Sequence, residues 1–372
     1  MSNINQSRFF RFARQVCLLP ALCAPVFVCT SVSAFDWNSD YGIDASLERD
    51  DNFRLSEADP VATNSTGVGV FADLRGLTEI SSLRLSVRAK ATRYSESSIE
   101  DSDNYNLSLE TARSGERWSG TFDLSLAAES TTETELLDSG NVLDGERKTA
   151  RVAPGLRYQL DERNSIYGNL AFSDVTYDTV SLTEYTDNTA SAGWANQFSE
   201  TSEVSVNASV SEYDPDAGDT TTVTSVNIGY GFNTSEATRY NFQLGTSERD
   251  NPAGTERDGN SSFEIRHSID DRNGFSLFVG NGYVGSGVGE VRYESRLKLR
   301  WDHALAERMQ LKLTGEGVST DDRDYIEIVA GASHQYTREI SFAANLRYRS
   351  QQSDINDADS TSVLVSLSYS PI

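Results

Sequence analysis

From about residue 40 to residue 369 one pattern recurs: apolar and polar side chains alternate for roughly ten positions, break at a turn, and resume. In Leu83-Arg84-Leu85-Ser86-Val87-Arg88-Ala89-Lys90-Ala91 every odd position is apolar and every even one polar. The same period of two runs through Val204–Val210, Tyr240–Leu244, Arg296–Trp301 and Val363–Tyr369. That period puts the two classes on opposite faces of a β-strand. No segment carries a sustained helical stripe, and no apolar run reaches the roughly 20 residues a membrane helix needs.

The pattern predicts 18 strands, centred near residues 44, 70, 87, 107, 124, 154, 170, 193, 208, 227, 243, 264, 278, 297, 313, 330, 344 and 365. Sixteen is the alternative count, because the first strand and Ser261–His267 are the least regular. Connections alternate in kind. One set is short: Arg75–Glu79, Ser114–Arg117, Asp161–Arg163, Ser199–Ser202, Asn233–Ala237, Asp270–Asn273, His303–Glu307 and Thr337–Glu339. The other is mostly longer and acidic: Asp50–Thr63, Ser95–Asp103, Thr131–Glu146, Tyr177–Asp187, Asp214–Asp219, Arg249–Asp258 and Gln351–Ser360, with Gly282–Val288 and Asp321–Arg323 its shortest members. Short turns at one end and long loops at the other suit a transmembrane antiparallel up-and-down β-barrel. A soluble sandwich would need a second apolar set to fill its core, and none is visible. Pro154 falls on the apolar parity of strand 6 and cannot donate to a ladder, which predicts a bulge or local break there.

Residues 1–34 read as a signal peptide, leaving a barrel over 35–372. Arg8, Arg11 and Arg14 precede the mostly apolar Val16–Val28, and Val32 and Ala34 frame a small-residue cut. Cys17, Cys23 and Cys29 are the chain's three cysteines and leave with it, so the mature chain forms no disulfide. Lys plus Arg number 32 against 56 Asp plus Glu. A net charge of -24 argues against a general nucleic-acid binder, which needs a basic surface. Trp118, Trp194 and Trp301 lie near short-turn ends and Trp37 precedes strand 1. Tryptophan prefers the membrane interface. The expected placement is the bacterial outer membrane, with termini and short turns periplasmic and the acidic loops extracellular.

After the first strand comes Arg49-Asp50-Asp51-Asn52-Phe53-Arg54-Leu55. With its evenly spaced, acidic-looped hairpins, the chain resembles the outer-membrane β-barrel porin family associated with exopolysaccharide and exosortase loci. The resemblance implies a porin-like barrel that secretes or passes surface polysaccharide, and it brings no catalytic residues. The chain departs from the outer-membrane habit of a terminal aromatic, since Ser370-Pro371-Ile372 follow Tyr369.

Little points to catalysis. His267, His303 and His334 show no triad spacing, with His303 expected in a short turn. The chain reads as a non-enzyme without a cofactor or metal, a barrel hydrolase assembled from distant strands being the alternative. Asp50-Asp51, Glu100-Asp101 and Asp321-Asp322 offer oxygen ligands for Ca²⁺ or Mg²⁺, yet none sits in a complete calcium loop, and solvated acidic loops are expected.

The polar parity is more informative. It places Arg84, Arg88, Lys90, Arg151, Arg157, Arg266, Arg292, Arg296, Lys298, Arg300, Lys312, Arg347 and Arg349 inward, with Asp44, Glu48, Asp73, Glu110, Asp123, Glu129, Glu264, Glu294, Glu316 and Glu327. The negative charge is therefore concentrated outside the lumen. Strand 14 carries Arg292, Arg296, Lys298 and Arg300 on one face. Rings of Arg and Lys favour anions in a pore; the same bases paired with wall acids such as Glu294 would only brace the barrel. Both readings stand at this point. The expected function is a porin-like channel for small hydrophilic solutes, sugars or sugar acids linked to exopolysaccharide metabolism. The alternative is a structural or export-associated barrel with a plugged lumen. Expected partners are outer-membrane lipids and lipopolysaccharide, the barrel-insertion machinery and components of an exopolysaccharide system.

Overall fold

Eighteen antiparallel strands close into one barrel, each paired with its sequence neighbours and β1 with β18. The computed structural model describes residues 35–138, 144–270, 272–353 and 356–371, so the signal segment lies outside the described residues. The strands are β1 Asp36–Asp50, β2 Thr63–Leu77, β3 Ser81–Tyr94, β4 Ser102–Ser114, β5 Trp118–Ser130, β6 Glu146–Gln159, β7 Asn164–Tyr177, β8 Tyr185–Ser199 and β9 Ser202–Pro215. They continue as β10 Thr221–Ser235, β11 Thr238–Asn251, β12 Gly254–Asp270, β13 Asn273–Gly285, β14 Val291–Ala306, β15 Met309–Ser319, β16 Arg323–Gln335, β17 Ile340–Ser353 and β18 Asn356–Tyr369. Among the described residues one helix, α1 (Thr131–Asp138), lies in the β5–β6 connection. Closure removes the exposed sheet edges that an open sheet of this length would present.

Alternation is realised as two faces. The outer parity carries the apolar set, with Leu244 69%, Leu47 63% and Ile228 61% exposed. Such exposure is costly in water and favourable in hydrocarbon, and it recurs on nearly every strand. Aromatics belt the outer face at the short-turn rim. Tyr230, Phe232, Tyr240, Phe242 and Phe263 form a chain of ring contacts across β10–β12, with Phe232–Tyr240 and Phe242–Phe263 centroids both 4.8 Å apart. Trp37, Trp118, Trp194 and Trp301 sit on the same rim and the same parity.

The short turns are fixed by their first side chain. Asp161 Oδ1 accepts from the Arg163 and Asn164 amides at 2.8 Å each, and Asp270 Oδ1 accepts from the Arg272 amide at 2.7 Å. The donors around Asp161, the Arg163 amide first, hold its carboxyl below the usual carboxylate range. Thr78 and Thr337 do the same through Oγ1. A side-chain acceptor that mimics a turn carbonyl sets hairpin register locally.

Three expectations change in detail. The stretches Arg249–Asp258 and Gln351–Ser360 are mostly strand, because β11–β12 and β17–β18 extend past the apolar band as two-sided polar hairpins. His303 lies in β14, its ring stacked on Trp301 at 5.5 Å, and not in a turn. At Pro154 the expected local break is present and no bulge is: the residue pairs with Phe122 on β5, while the β6–β7 ladder lapses between Val152↔Phe172 and Gly155↔Asn169 with register unchanged. Register shifts fall instead at four short-turn ends, as at Gln197/Ser199 and Ala304/Ala306.

Candidate functional site

The inward parity forms a polar lumen with two unlike sides. From β14 round to β3 it is charged, and the bases mostly lie against acids. Arg84 and Arg88 share Asp73 at 3.3 and 3.8 Å. Arg292 meets Glu290 at 2.6 Å and Asp322 at 3.5 Å. Arg296 meets Glu294 at 2.7 Å and Glu316 at 3.6 Å; Lys298 takes Glu316 at 3.0 Å; Arg300 takes Asp302 at 2.5 Å. Arg347 stands 4.0 Å from both Glu48 and Glu327, and Arg349 is 2.6 Å from Asp50. Among the described residues no carboxylate lies within 4 Å of Lys90 or Lys312. The basic face of β14 is thus a ladder of ion pairs. Sequence reasoning overlooked Asp302, two positions beyond Arg300 on the same parity, and the loop acid Glu290, and weighed Asp322 as a cation ligand, not as a partner of Arg292.

At the long-loop end several connections turn inward. The run Asp50–Leu55 organises one side. Asp50 is buried and accepts from Ser360 Oγ at 2.7 Å besides its pair with Arg349. Asn52 clamps its own loop through Ser56 and reaches the Asp359 carbonyl at 3.0 Å. Phe53 packs on Tyr94 with centroids 5.0 Å apart, and Arg54 pairs with Asp144 at 2.5 Å. Leu55, in the left-handed region at φ 47°, drives its side chain into a cluster with Leu136, Val318, Tyr325 and Ala358. That strained backbone is repaid by burial.

Helix α1 bridges the mouth. Leu136 belongs to the cluster on the β15, β16 and β18 side, and Arg323 of β16 donates to its carbonyl. One residue earlier Glu135, fully buried, accepts from Tyr177 Oη of β7 at 2.8 Å and lies 3.5 Å from Arg147 of β6. β7 and β16 stand on different sides of the ring of strands. A third element closes over them. Past Asn281 and before Ser295 the β13–β14 hairpin leaves its ladder partners on β12 and β15. It leans inward, where Tyr213 donates to the Ser286 carbonyl at 2.6 Å and Arg249 to the Val291 carbonyl at 2.7 Å. Val175, Tyr177, Leu182, Tyr185, Tyr213 and Val291 form an apolar cluster beneath it. A side chain at Gly287 would meet both Tyr177 Oη and Glu135 Oε2 within 2.6 Å, so only glycine passes.

Below this assembly the β5–β13 wall borders an open cavity of about 770 Å³ at the short-turn half. Of its charged groups Arg157 reaches over β7 and β8 to Glu203 at 3.1 Å, Glu264 is held by Arg266 at 2.6 Å, and Arg239 bonds Asn241 at 3.3 Å. The histidines stand elsewhere, His267 on Thr238 at 2.7 Å and His303 on Asn273, both on the outer parity.

No protein-family model matches the chain, and no curated protein does. Solved structures are similar in shape alone. They include Pseudomonas aeruginosa OpdQ, 8% identical with a TM-score of 0.48, covering 91% of this chain and 100% of that one. P. aeruginosa OpdK, solved with vanillate, is 10% identical with a TM-score of 0.47 over 90% of this chain and 99% of that one. Acinetobacter baumannii OccAB4 is 8% identical with a TM-score of 0.45 over 90% and 98%. At that identity and with TM-scores below 0.5, nothing about function passes from them to this chain.

Proposed function

We propose that this chain is a bacterial outer-membrane barrel that works as a porin-like channel for small hydrophilic solutes, sugars and sugar acids among them. The observation that carries the reading is the pairing of an exposed apolar wall, belted by aromatics at one rim, with a polar, charge-lined interior. Only a hydrocarbon surround makes the first stable, and only water or a polar guest makes the second so. The tryptophan rim then faces the periplasm and the inward-turned loops face outside. Arg84, Arg88, Lys90, Lys312, Arg347 and the β14 ladder line the path on one side, with Glu294 and Glu316 as counter-charges, while Arg349 is buried against Asp50.

The bridging of β7 and β16 by α1 favours a second reading, in which the mouth is closed and the barrel serves an exopolysaccharide system as a structural component. Swelling of proteoliposomes in isosmotic sugars of graded size separates the two. A channel gives swelling that falls with sugar size. Folded barrel that gives no swelling with the smallest pentose selects the plugged reading.

A further inference from the structure

The cavity at the short-turn half has features that a mere water-filled wall does not require. Its lining is hydroxyl and amide in character, with Asn169, Asn241 and Gln243 facing in. Amide and hydroxyl groups both donate and accept, as sugar hydroxyls do. Its two lining bases, Arg157 and Arg239, equal its two lining acids, Glu203 and Glu264, in number; Arg157 pairs with Glu203 and Arg239 bonds Asn241 Oδ1 at 3.3 Å, so the lining itself presents no excess of either sign. Tyr167 supplies a surface of another kind. A methyl group on Gly193 would collide with the hydroxyl end of the Tyr167 ring, which crosses the β8 wall there and lines the cavity. Glycine at 155 likewise leaves the room that Asn169 Oδ1 occupies.

We infer that this cavity is a binding subsite for an uncharged, polyhydroxylated guest, a neutral saccharide, with Tyr167 as the stacking platform and the amide side chains as its hydrogen-bond ring. A volume of about 770 Å³ falls within the roughly 300–1,000 Å³ of small-molecule sites. An aromatic ring with one wet edge suits the apolar face of a pyranose. A carboxylated guest gains little here, because Arg157 already has Glu203 beside it, Arg239 bonds Asn241, and the guest's charge would be desolvated facing the lining carboxylates of Glu203 and Glu264. The inference rests on the solute-path reading of the lumen, but binding can be measured without conduction.

The test is calorimetric titration of the folded, detergent-solubilised barrel with maltose and, separately, with maltobionate, its carboxylated relative. The expected result is saturable maltose binding at least tenfold tighter than maltobionate binding. Tyr167→Ala should weaken it tenfold or more, and Tyr167→Phe should leave it within twofold. Gly193→Ala, which displaces the ring without removing it, gives an independent loss if Tyr167→Ala folds poorly. Absence of maltose binding in folded barrel, tighter binding of maltobionate, or full binding in Gly193→Ala would each overturn the assignment. Failure of the channel reading looks different: maltose still binds, but a reconstituted membrane shows no passage.

Discussion

Arg349 on β17 reaches past β18 to Asp50 on β1, Nη2 to Oδ2 2.6 Å, with both side chains at most 5% exposed. The pair straddles the strand that closes the barrel, and Ser360 of β18 joins it through Oγ at 3.2 Å to Arg349 and 2.7 Å to Asp50. Breaking a buried pair by removing one partner leaves the other charge uncompensated, at a cost of about 3–5 kcal/mol. Asp50→Ala should lower the unfolding free energy by that amount in guanidinium titrations of vesicle-inserted barrel. Asp50→Leu with Arg349→Met should recover most of it. A loss under ~1 kcal/mol for Asp50→Ala would mean the seam does not depend on the pair.

Neighbouring positions on β10 test which solvent each face meets. Ile228 lies at mid-strand on the outer parity and Asn227 on the inner. Arginine on the lipid face at the bilayer midplane costs about 2–4 kcal/mol. Ile228→Arg should show that loss, and Asn227→Arg should stay within about 1 kcal/mol because the lumen is polar. Equal losses at the two positions would contradict a lipid-facing outer wall.

The strands were readable because a single rule, alternation of an apolar outer and a polar inner face, governs most strand residues between Asp36 and Tyr369. The rule fails where that constraint ends. Beyond the apolar band β11–β12 and β17–β18 are polar on both faces, so Glu248, Arg257, Gln352 and Asp357 look like loop although they pair in register. Helix α1 is eight residues long, too short for a visible helical period. What betrays the inward loops is subtler: isolated apolar residues in acidic surroundings, Leu55, Leu136 and Leu182, each of which ends up buried. The inner charge list was legible from parity, and its cancellation by pairing on β14 was one of two open readings, but side-chain reach decides between them, and a pair such as Arg157 with Glu203, on strands that are not adjacent, leaves no sequence signal.

That cancellation changes the expected selectivity. With Glu294, Glu316 and Asp302 beside the β14 bases, the native barrel should discriminate weakly between anions and cations. Replacing Arg296, Lys298 and Arg300 with Gln strips the bases from three acids and should shift the reversal potential toward cation preference. It should also lower stability, because Glu294 is buried. Adding Glu294→Gln, Glu316→Gln and Asp302→Asn should return the reversal potential to near its native value. A native barrel with strong anion preference would show that the bases act unpaired.

Single-channel recording in planar bilayers bears most directly on the lumen as a solute path narrowed by its own loops. Leu55 and Leu136 are the apolar anchors that hold the β1–β2 loop and α1 against β15, β16 and β18. Polar replacement of buried leucines removes that hold while leaving every strand ladder in place. The native barrel should give small stepwise conductance, and Leu55→Ser with Leu136→Ser should raise it severalfold. Folded barrels that stay silent in both forms, or whose conductance is the same with and without those two leucines, would contradict the account.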